Sequence, residues 1–116
     1  MTTPMWGEVW RVRFDPAEGD EIKKTRTAVV VSVDGVGRLR LKIVVPITEW
    51  KVLFESFPWF VQLTPTPHNG LTKVSGADTF QVKSVAQSRF VNHLGALSAD
   101  EMDVISTEIA NCVGAP

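Results

Sequence analysis

Apolar and polar residues alternate along two stretches of the first half of the chain, and this period of two is the strongest constraint on the fold. Residues 7–14 place Trp10, Val12 and Phe14 on one side of an extended segment and Val9, Arg11 and Arg13 on the other. Residues 39–43 alternate in the same way, and residues 27–33 form a continuous, largely β-branched run. The pattern predicts three antiparallel strands joined by turns.

The second half adds short strands and one helix. Residues 59–63 and 79–85 are predicted as strands, whereas residues 15–26 lack apolar periodicity and are predicted as a long loop. Ser98 and Glu101 have the spacing of a capping box, and Met102 and Ile105 begin a helical repeat after it. We therefore expect residues 1–116 to form a single domain, a small bent β-sheet or barrel with a helix against it.

Composition narrows the class of protein. The chain is 44% hydrophobic and 22% charged, with a formal net charge of −1, so it is typical of a globular protein and whole-chain charge gives no argument for nucleic acid. Cys112 is the only cysteine, which excludes an internal disulfide and favours a reducing compartment. No leader-like start or membrane-length apolar run is present, so we expect a cytoplasmic protein without a membrane partner.

The basic residues are unevenly distributed. Eight of the twelve Lys and Arg residues lie between positions 11 and 42, and those that alternate with apolar residues are explained by a solvated sheet face. Lys23, Lys24 and Arg26 are different, because they cluster at the end of the predicted loop, where a guanidinium could bind a phosphate. Common hydrolase, phosphate-loop and zinc motifs are absent from the sequence.

A set of segments, in order along nearly the whole chain, resembles the MazF/PemK family of toxin endoribonucleases from bacterial type II toxin–antitoxin modules. The segments are Gly7-Glu-Val-Trp-Arg-Val-Arg-Phe-Asp-Pro, Gly19-Asp-Glu-Ile-Lys-Lys-Thr-Arg, Ala28-Val-Val-Val-Ser, Val45-Pro-Ile-Thr, Asn69-Gly-Leu, Gln81-Val-Lys-Ser-Val, Ser88-Arg-Phe and Leu94-Gly-Ala-Leu-Ser.

The resemblance implies a mainly β fold, an SH3-like barrel of the CcdB/PemK toxin type with a C-terminal α-helix. It also implies a homodimer that cleaves single-stranded RNA without a metal or other cofactor, leaving 2′,3′-cyclic phosphate and 5′-hydroxyl ends. A cognate antitoxin would neutralise the toxin by covering its active groove. RNA of this kind would be messenger, transfer or ribosomal RNA.

The resemblance assigns catalysis to Arg26 and Thr48, because these positions match the family's catalytic arginine and threonine. Both residue types can donate hydrogen bonds to phosphoryl oxygens, while the nucleophile is the substrate's own 2′-hydroxyl. Without the resemblance, Arg26 would be interpreted as a surface ion pair with Asp20 or Glu21, and Thr48 as a turn residue.

Four further residues are candidate RNA contacts. Glu21 is also a candidate general base, and Trp50 could equally pack in the core or at a dimer interface. The four candidates are Glu21, Lys24, Thr25 and Trp50.

The chain departs from the family pattern at three positions. Thr27 follows the arginine where proline is common, and Ala86 and Gln87 replace a common aspartate and lysine. These departures leave cleavage specificity and dimer strength open. Two alternatives of other classes also remain at this point, a gyrase inhibitor of the CcdB type and a non-catalytic SH3-like binding module.

Overall fold

The computed structural model describes residues 3–35 and 39–116 and contains one antiparallel sheet and one α-helix. The strands pair in the order β4, β5, β3, β2, β1, β7, and β6 pairs with the first half of β3. The mainly β fold with a C-terminal helix is confirmed, but the sheet does not close into a complete barrel. The elements are β1 (Glu8–Arg13), β2 (Thr25–Val30), β3 (Leu41–Glu49), β4 (Phe60–Leu63), β5 (Ser75–Asp78), β6 (Lys83–Ala86), β7 (Phe90–Ala96) and α1 (Ala99–Cys112).

Alternation along the strands divides the apolar residues between two faces of the sheet. The helix face packs against α1 through Met102 and Ile105, both fully buried. The opposite face, called the Trp10 face below, holds Trp10, Val12 and Phe14, as the period of two predicts for β1. Both faces are thus buried over the centre of the sheet, which explains why the second half of β2, Ala28 to Val30, is entirely apolar.

The predicted terminal helix is confirmed together with its capping box. Ser98 Oγ accepts a hydrogen bond from Glu101 N at 3.1 Å, and Glu101 Oε1 accepts one from Ser98 N at 2.9 Å. These two bonds satisfy donors that the first turn of a helix leaves free. Within the described ranges, no helix is long and apolar enough to cross a membrane.

The prediction of one strand over residues 79–85 is wrong in its first half. Asp78 accepts a hydrogen bond from Phe80 N, and Thr79–Gln81 form a short 3-10 helix before β6 begins at Lys83. The strand predicted at residues 27–33 ends earlier, at Val30. The turn expected between the second and third predicted strands falls at residues 34–37, and part of it lies outside the described residues.

Candidate active site

Arg26 lies on the Trp10 face at the start of β2, directly opposite Val12 of β1. The side chain is exposed, and its Nε donates a hydrogen bond to Lys23 O at 3.3 Å. The two terminal NH₂ groups make no hydrogen bond or ion pair within residues 3–35 and 39–116. The surface ion pair with Asp20 or Glu21 considered above is therefore not formed, and the guanidinium head has donors available for an anion.

Thr48 lies on β3, between β2 and β5. Thr27 pairs with Ile47, so continuing the register by one residue sets Arg26 beside Thr48 on the same face of the sheet. On its other side, Thr48 pairs with Gly76 of β5. The last pair of β2 and β3 is thus followed by two residues that are 22 positions apart in the chain and share one face of the sheet.

The hydroxyl of Thr48 is unusual because its Oγ1 is buried yet has no hydrogen-bond partner in the described part of the chain. Buried polar atoms in proteins are nearly always paired, and an unpaired one destabilises the fold. The side chain as a whole is only half-buried. A rotation of about 120° about the Cα–Cβ bond would move the hydroxyl to the position of another Cβ substituent and turn the oxygen to another side.

Gly76, the residue that pairs with Thr48, lies against the ring of Trp50. A Cβ atom at Gly76 would lie 3.0 Å from both Trp50 Cε3 and Phe60 Cδ1, so these rings cover the strand where Thr48 pairs with it. Trp50 is half-buried and meets Phe54 edge to face, with ring centroids 5.6 Å apart. It belongs to an aromatic cluster, which we define as Trp50, Phe54, Phe57, Trp59, Phe60 and Phe80.

The loop between β1 and β2 is closed at its base by backbone contacts. Phe14 N donates to Lys24 O at 2.8 Å, and Lys24 N donates to Asp15 Oδ1 at 2.9 Å. Lys24 has a φ of 66°, a left-handed conformation that costs a non-glycine residue free energy. This turn leaves the Lys24 side chain exposed two positions before Arg26, while Thr25 is half-buried on β2 opposite Arg13.

Glu21 lies on the same loop and borders a surface groove of about 370 Å³. Its Oε1 accepts a hydrogen bond from Glu18 N, and its Oε2 lies 3.9 Å from Lys83 Nζ. Phe80 and Gln81 also line the groove. The structure therefore brings Glu21 near β6 rather than into an ion pair with Arg26.

Gln81 links this groove to the loop that precedes Arg26. Gln81 Oε1 accepts a hydrogen bond from Ile22 N at 2.5 Å, and Gln81 Nε2 donates to Asp78 Oδ2 at 3.3 Å. Burial raises the pKa of the Asp78 carboxyl above its ordinary value, although hydrogen bonds from Phe80 and Gln81 partly oppose this shift. Sequence reasoning missed Phe80 and Gln81 as site residues, because their alternation with neighbours gave only a strand signal.

The three departures from the family pattern lie at two places, one directly after Arg26 and one at the end of β6. Thr27 points to the helix face, opposite Arg11 and Ile47. Ala86 ends β6, and Gln87 N donates to a backbone carbonyl near the start of β3. Among the residues that the structure describes, no three His, Cys, Asp or Glu side chains come together as metal ligands.

Comparisons with known proteins agree with this geometry. The family described as PemK-like, MazF-like toxins of type II toxin–antitoxin systems matches residues 6–113. Endoribonuclease MazF9 of Mycobacterium tuberculosis is 34% identical over 102 residues, covering 83% of this chain and 84% of that protein.

Solved structures share the fold at lower identity. MazF of Deinococcus radiodurans superimposes with a TM-score of 0.80 at 23% identity, covering 98% of this chain and 99% of that one. An endoribonuclease of a mycobacterial species, solved in complex with its cognate antitoxin, gives a TM-score of 0.77 at 18% identity, with 97% of each chain covered.

Fold, strand register and relatives together define a toxin of the type II toxin–antitoxin class. The chain belongs to the PemK-like, MazF-like toxin family, because the family pattern matches nearly all of its length. The resemblance inferred from the ordered sequence segments is thus confirmed.

Proposed function

We propose that this toxin is an endoribonuclease that cleaves single-stranded RNA, with Arg26 and Thr48 as its catalytic residues. The observation that supports the proposal is the register of β2 and β3, whose last pair, Thr27 and Ile47, is followed on one face of the sheet by Arg26 and Thr48. The 34% identity to a curated endoribonuclease supports the same activity. The CcdB-like gyrase inhibitor and the non-catalytic module are not favoured, since the match is to PemK and MazF toxins.

The reaction needs no nucleophile from the protein. The ribose 2′-oxygen forms a bond to phosphorus, and the bond between phosphorus and the 5′-oxygen breaks. The 2′-hydroxyl loses its proton, and the leaving 5′-oxygen gains one. The products are a 2′,3′-cyclic phosphate and a 5′-hydroxyl. Negative charge builds up on the non-bridging oxygens, and the free NH₂ groups of Arg26 would donate hydrogen bonds to them.

Thr48 would supply the second donor after its side chain rotates. Among the described residues, the buried Oγ1 has no hydrogen bond to lose. Turning it toward a bound phosphate would therefore form a hydrogen bond without breaking one. Lys24 and Thr25 lie directly before Arg26, where Lys24 extends into solvent and would contact the RNA backbone. Glu21 would contact RNA from the edge of the groove.

The same proposal includes the partners of a toxin of this class. A cognate antitoxin would neutralise the protein in the cytoplasm, as the antitoxin complex of the mycobacterial structural relative suggests. We also propose a homodimer. Leu39, Leu41 and Ile43 are 74%, 42% and 43% exposed at alternate positions, and such an uncovered apolar row is typical of an interface.

The test is to incubate the purified protein with a mixed RNA pool in the presence of EDTA and to map the new 5′-hydroxyl ends. We expect cleavage at a short recurring sequence by the wild type and none by Arg26→Ala. Removing one donor of this kind lowers rates about a hundredfold to a thousandfold, and loss of the positive charge adds to that effect. The circular-dichroism spectrum of the variant should match that of the wild type, because Arg26 is exposed.

Arg40→Ala is the matched control, since Arg40 is an exposed arginine just before the distant end of β3. It should cleave like the wild type. Retained cleavage by a folded Arg26→Ala variant would refute the role of Arg26, and inhibition of gyrase without RNA cleavage would refute the proposed activity.

A further inference from the structure

Phe80 is the most exposed member of the aromatic cluster. Its side chain is 68% exposed, whereas Trp50, the aromatic residue that the sequence favours for RNA contact, is half-buried against Phe54 and Phe60. The exposed part of a phenylalanine ring contributes nothing to the hydrophobic stability of the fold. The surface available for a ligand therefore lies at Phe80 rather than at Trp50.

The ring of Phe80 is held in place. Phe80 N donates a hydrogen bond to Asp78 Oδ1 at 3.2 Å, which fixes the backbone of the 3-10 helix. The ring leans on Trp59, with centroids 5.8 Å apart and planes inclined by 60°. One edge of the ring is thus supported while most of its surface stays open, as a stacking platform requires.

The groove beside Phe80 has the chemistry to hold a nucleobase. Asp20 and Glu21 form one wall, and the half-buried Lys83 lies 3.9 Å from Glu21 Oε2. Carboxylates are acceptors only, so they bind bases through N–H donors such as the exocyclic amines of adenine, cytosine and guanine. The Lys83 ammonium reduces the repulsion between these carboxylates and an RNA backbone.

The groove is also joined to the proposed catalytic strand. Gln81 Oε1 accepts a hydrogen bond from Ile22 N, and this loop runs directly into β2 and Arg26. A nucleotide bound beside Phe80 would therefore contact the loop that leads into Arg26, the residue proposed to bind the scissile phosphate. Ile22, Val82 and the ring give the groove an apolar surface that a base or a peptide could cover, and the link to Arg26 favours the nucleotide.

We propose that an unpaired RNA base bearing an exocyclic amine stacks on Phe80 and is recognised by Asp20 and Glu21, as a specificity subsite of this toxin. The proposal rests on the proposed nuclease function. It adds that a nucleotide flanking the cleavage point is read in the groove lined by Phe80, Gln81 and Lys83.

The experiment measures steady-state cleavage of a short RNA that carries the cleavage sequence mapped for the wild type. Loss of stacking in Phe80→Ala should raise KM by roughly 5- to 150-fold with a smaller change in kcat. Phe80→Trp should restore KM, because its ring offers the same platform. Val104→Ala, a change at another exposed apolar residue on α1, should leave both constants unchanged.

Substrates with one abasic nucleotide identify the base that is read. At one flanking position, removing the base should raise KM for the wild type and leave Phe80→Ala unaffected, and uracil there should bind less well than an amine-bearing base. Wild-type cleavage with an unchanged KM in Phe80→Ala would overturn this subsite and leave the groove to a protein segment. Absence of cleavage by the wild type would instead overturn the nuclease function on which it rests.

Discussion

The two proposed catalytic side chains are held in opposite ways. Arg26 stands at the exposed start of a strand, with one hydrogen bond to the preceding loop and its terminal NH₂ groups in solvent. Thr48 stands between two paired strands, with a buried hydroxyl that has no partner within residues 3–35 and 39–116. The NH₂ groups of Arg26 are hydrated in the free protein, which costs little free energy. The unpaired hydroxyl of Thr48 lowers the stability of the fold.

This difference has a physical reason. A hydrated guanidinium keeps its solvation until a phosphate displaces water, so its free state is not strained. A buried hydroxyl without a partner costs about 1 to 3 kcal/mol, which binding of the substrate can recover. Activity and stability should therefore respond to the two residues differently, and the following predictions test that contrast.

Thr48→Val is expected to have the largest effect of these changes and to separate activity from stability. Valine keeps the shape and removes the hydroxyl, so cleavage should fall about a hundredfold to a thousandfold. The free energy of unfolding should rise by about 1 kcal/mol, because the unpaired oxygen is gone. Single-turnover cleavage and urea unfolding measure the two quantities.

Thr48→Ser is the control for that experiment. It keeps the hydroxyl and should retain most of the cleavage rate, with stability at or below that of the wild type. A Thr48→Val variant that is both inactive and less stable than the wild type would mean that the hydroxyl has a structural partner. The contrast with Arg26 would then be lost.

Gly76→Ala tests whether the aromatic cluster holds Thr48 in place. The new Cβ would lie 3.0 Å from carbons of Trp50 and Phe60, tighter than most real Cβ contacts, so the rings must give way by a few tenths of an ångström. Such overpacking costs roughly 1 to 3 kcal/mol of stability, and cleavage should fall less than in Thr48→Val. Thermal or urea unfolding gives the first quantity, and single-turnover cleavage gives the second.

A Phe60→Leu background sharpens this test. Removing one of the two rings should reduce the cost of Gly76→Ala, since the two changes act on the same contact. Equal costs in both backgrounds would show that the clash is not with Phe60. Unchanged stability in Gly76→Ala itself would show that the rings do not press on β5.

Local patterns were sufficient to predict β1 and α1. The alternation around Trp10 and the capping box at Ser98 are set by neighbours in sequence, and both are confirmed. Strand β5 was not predicted, because Ser75–Asp78 are small or polar and are buried only by their tertiary neighbours. At Asp78, side-chain capping of the following turn overrode the strand pattern.

The candidate site shows the same contrast between what local sequence predicts and what depends on tertiary neighbours. Arg26 and Thr48 were assigned from the family resemblance, and nothing in their local sequence predicts that they are neighbours. Their proximity depends on the register of two strands joined through a long connection. The exposure of Phe80 and the enclosure of Trp50 likewise depend on how the aromatic rings pack, which periodicity does not encode.

Asp78→Asn probes the hydrogen bonds that hold the loop preceding Arg26, and its effect should be the smallest. Burial raises the pKa of Asp78 above 3.8, so the folded protein binds this proton more tightly than the unfolded chain. The resulting stability is fully present below the unfolded pKa and is lost as pH rises through the folded pKa. Because asparagine does not titrate, the free energy of unfolding of the wild type should fall relative to that of the variant over that pH range. At higher pH the difference between the two proteins should be constant. Urea midpoints of both proteins between about pH 3 and 7 measure this difference, and a difference independent of pH would show that the carboxyl pays no penalty for burial.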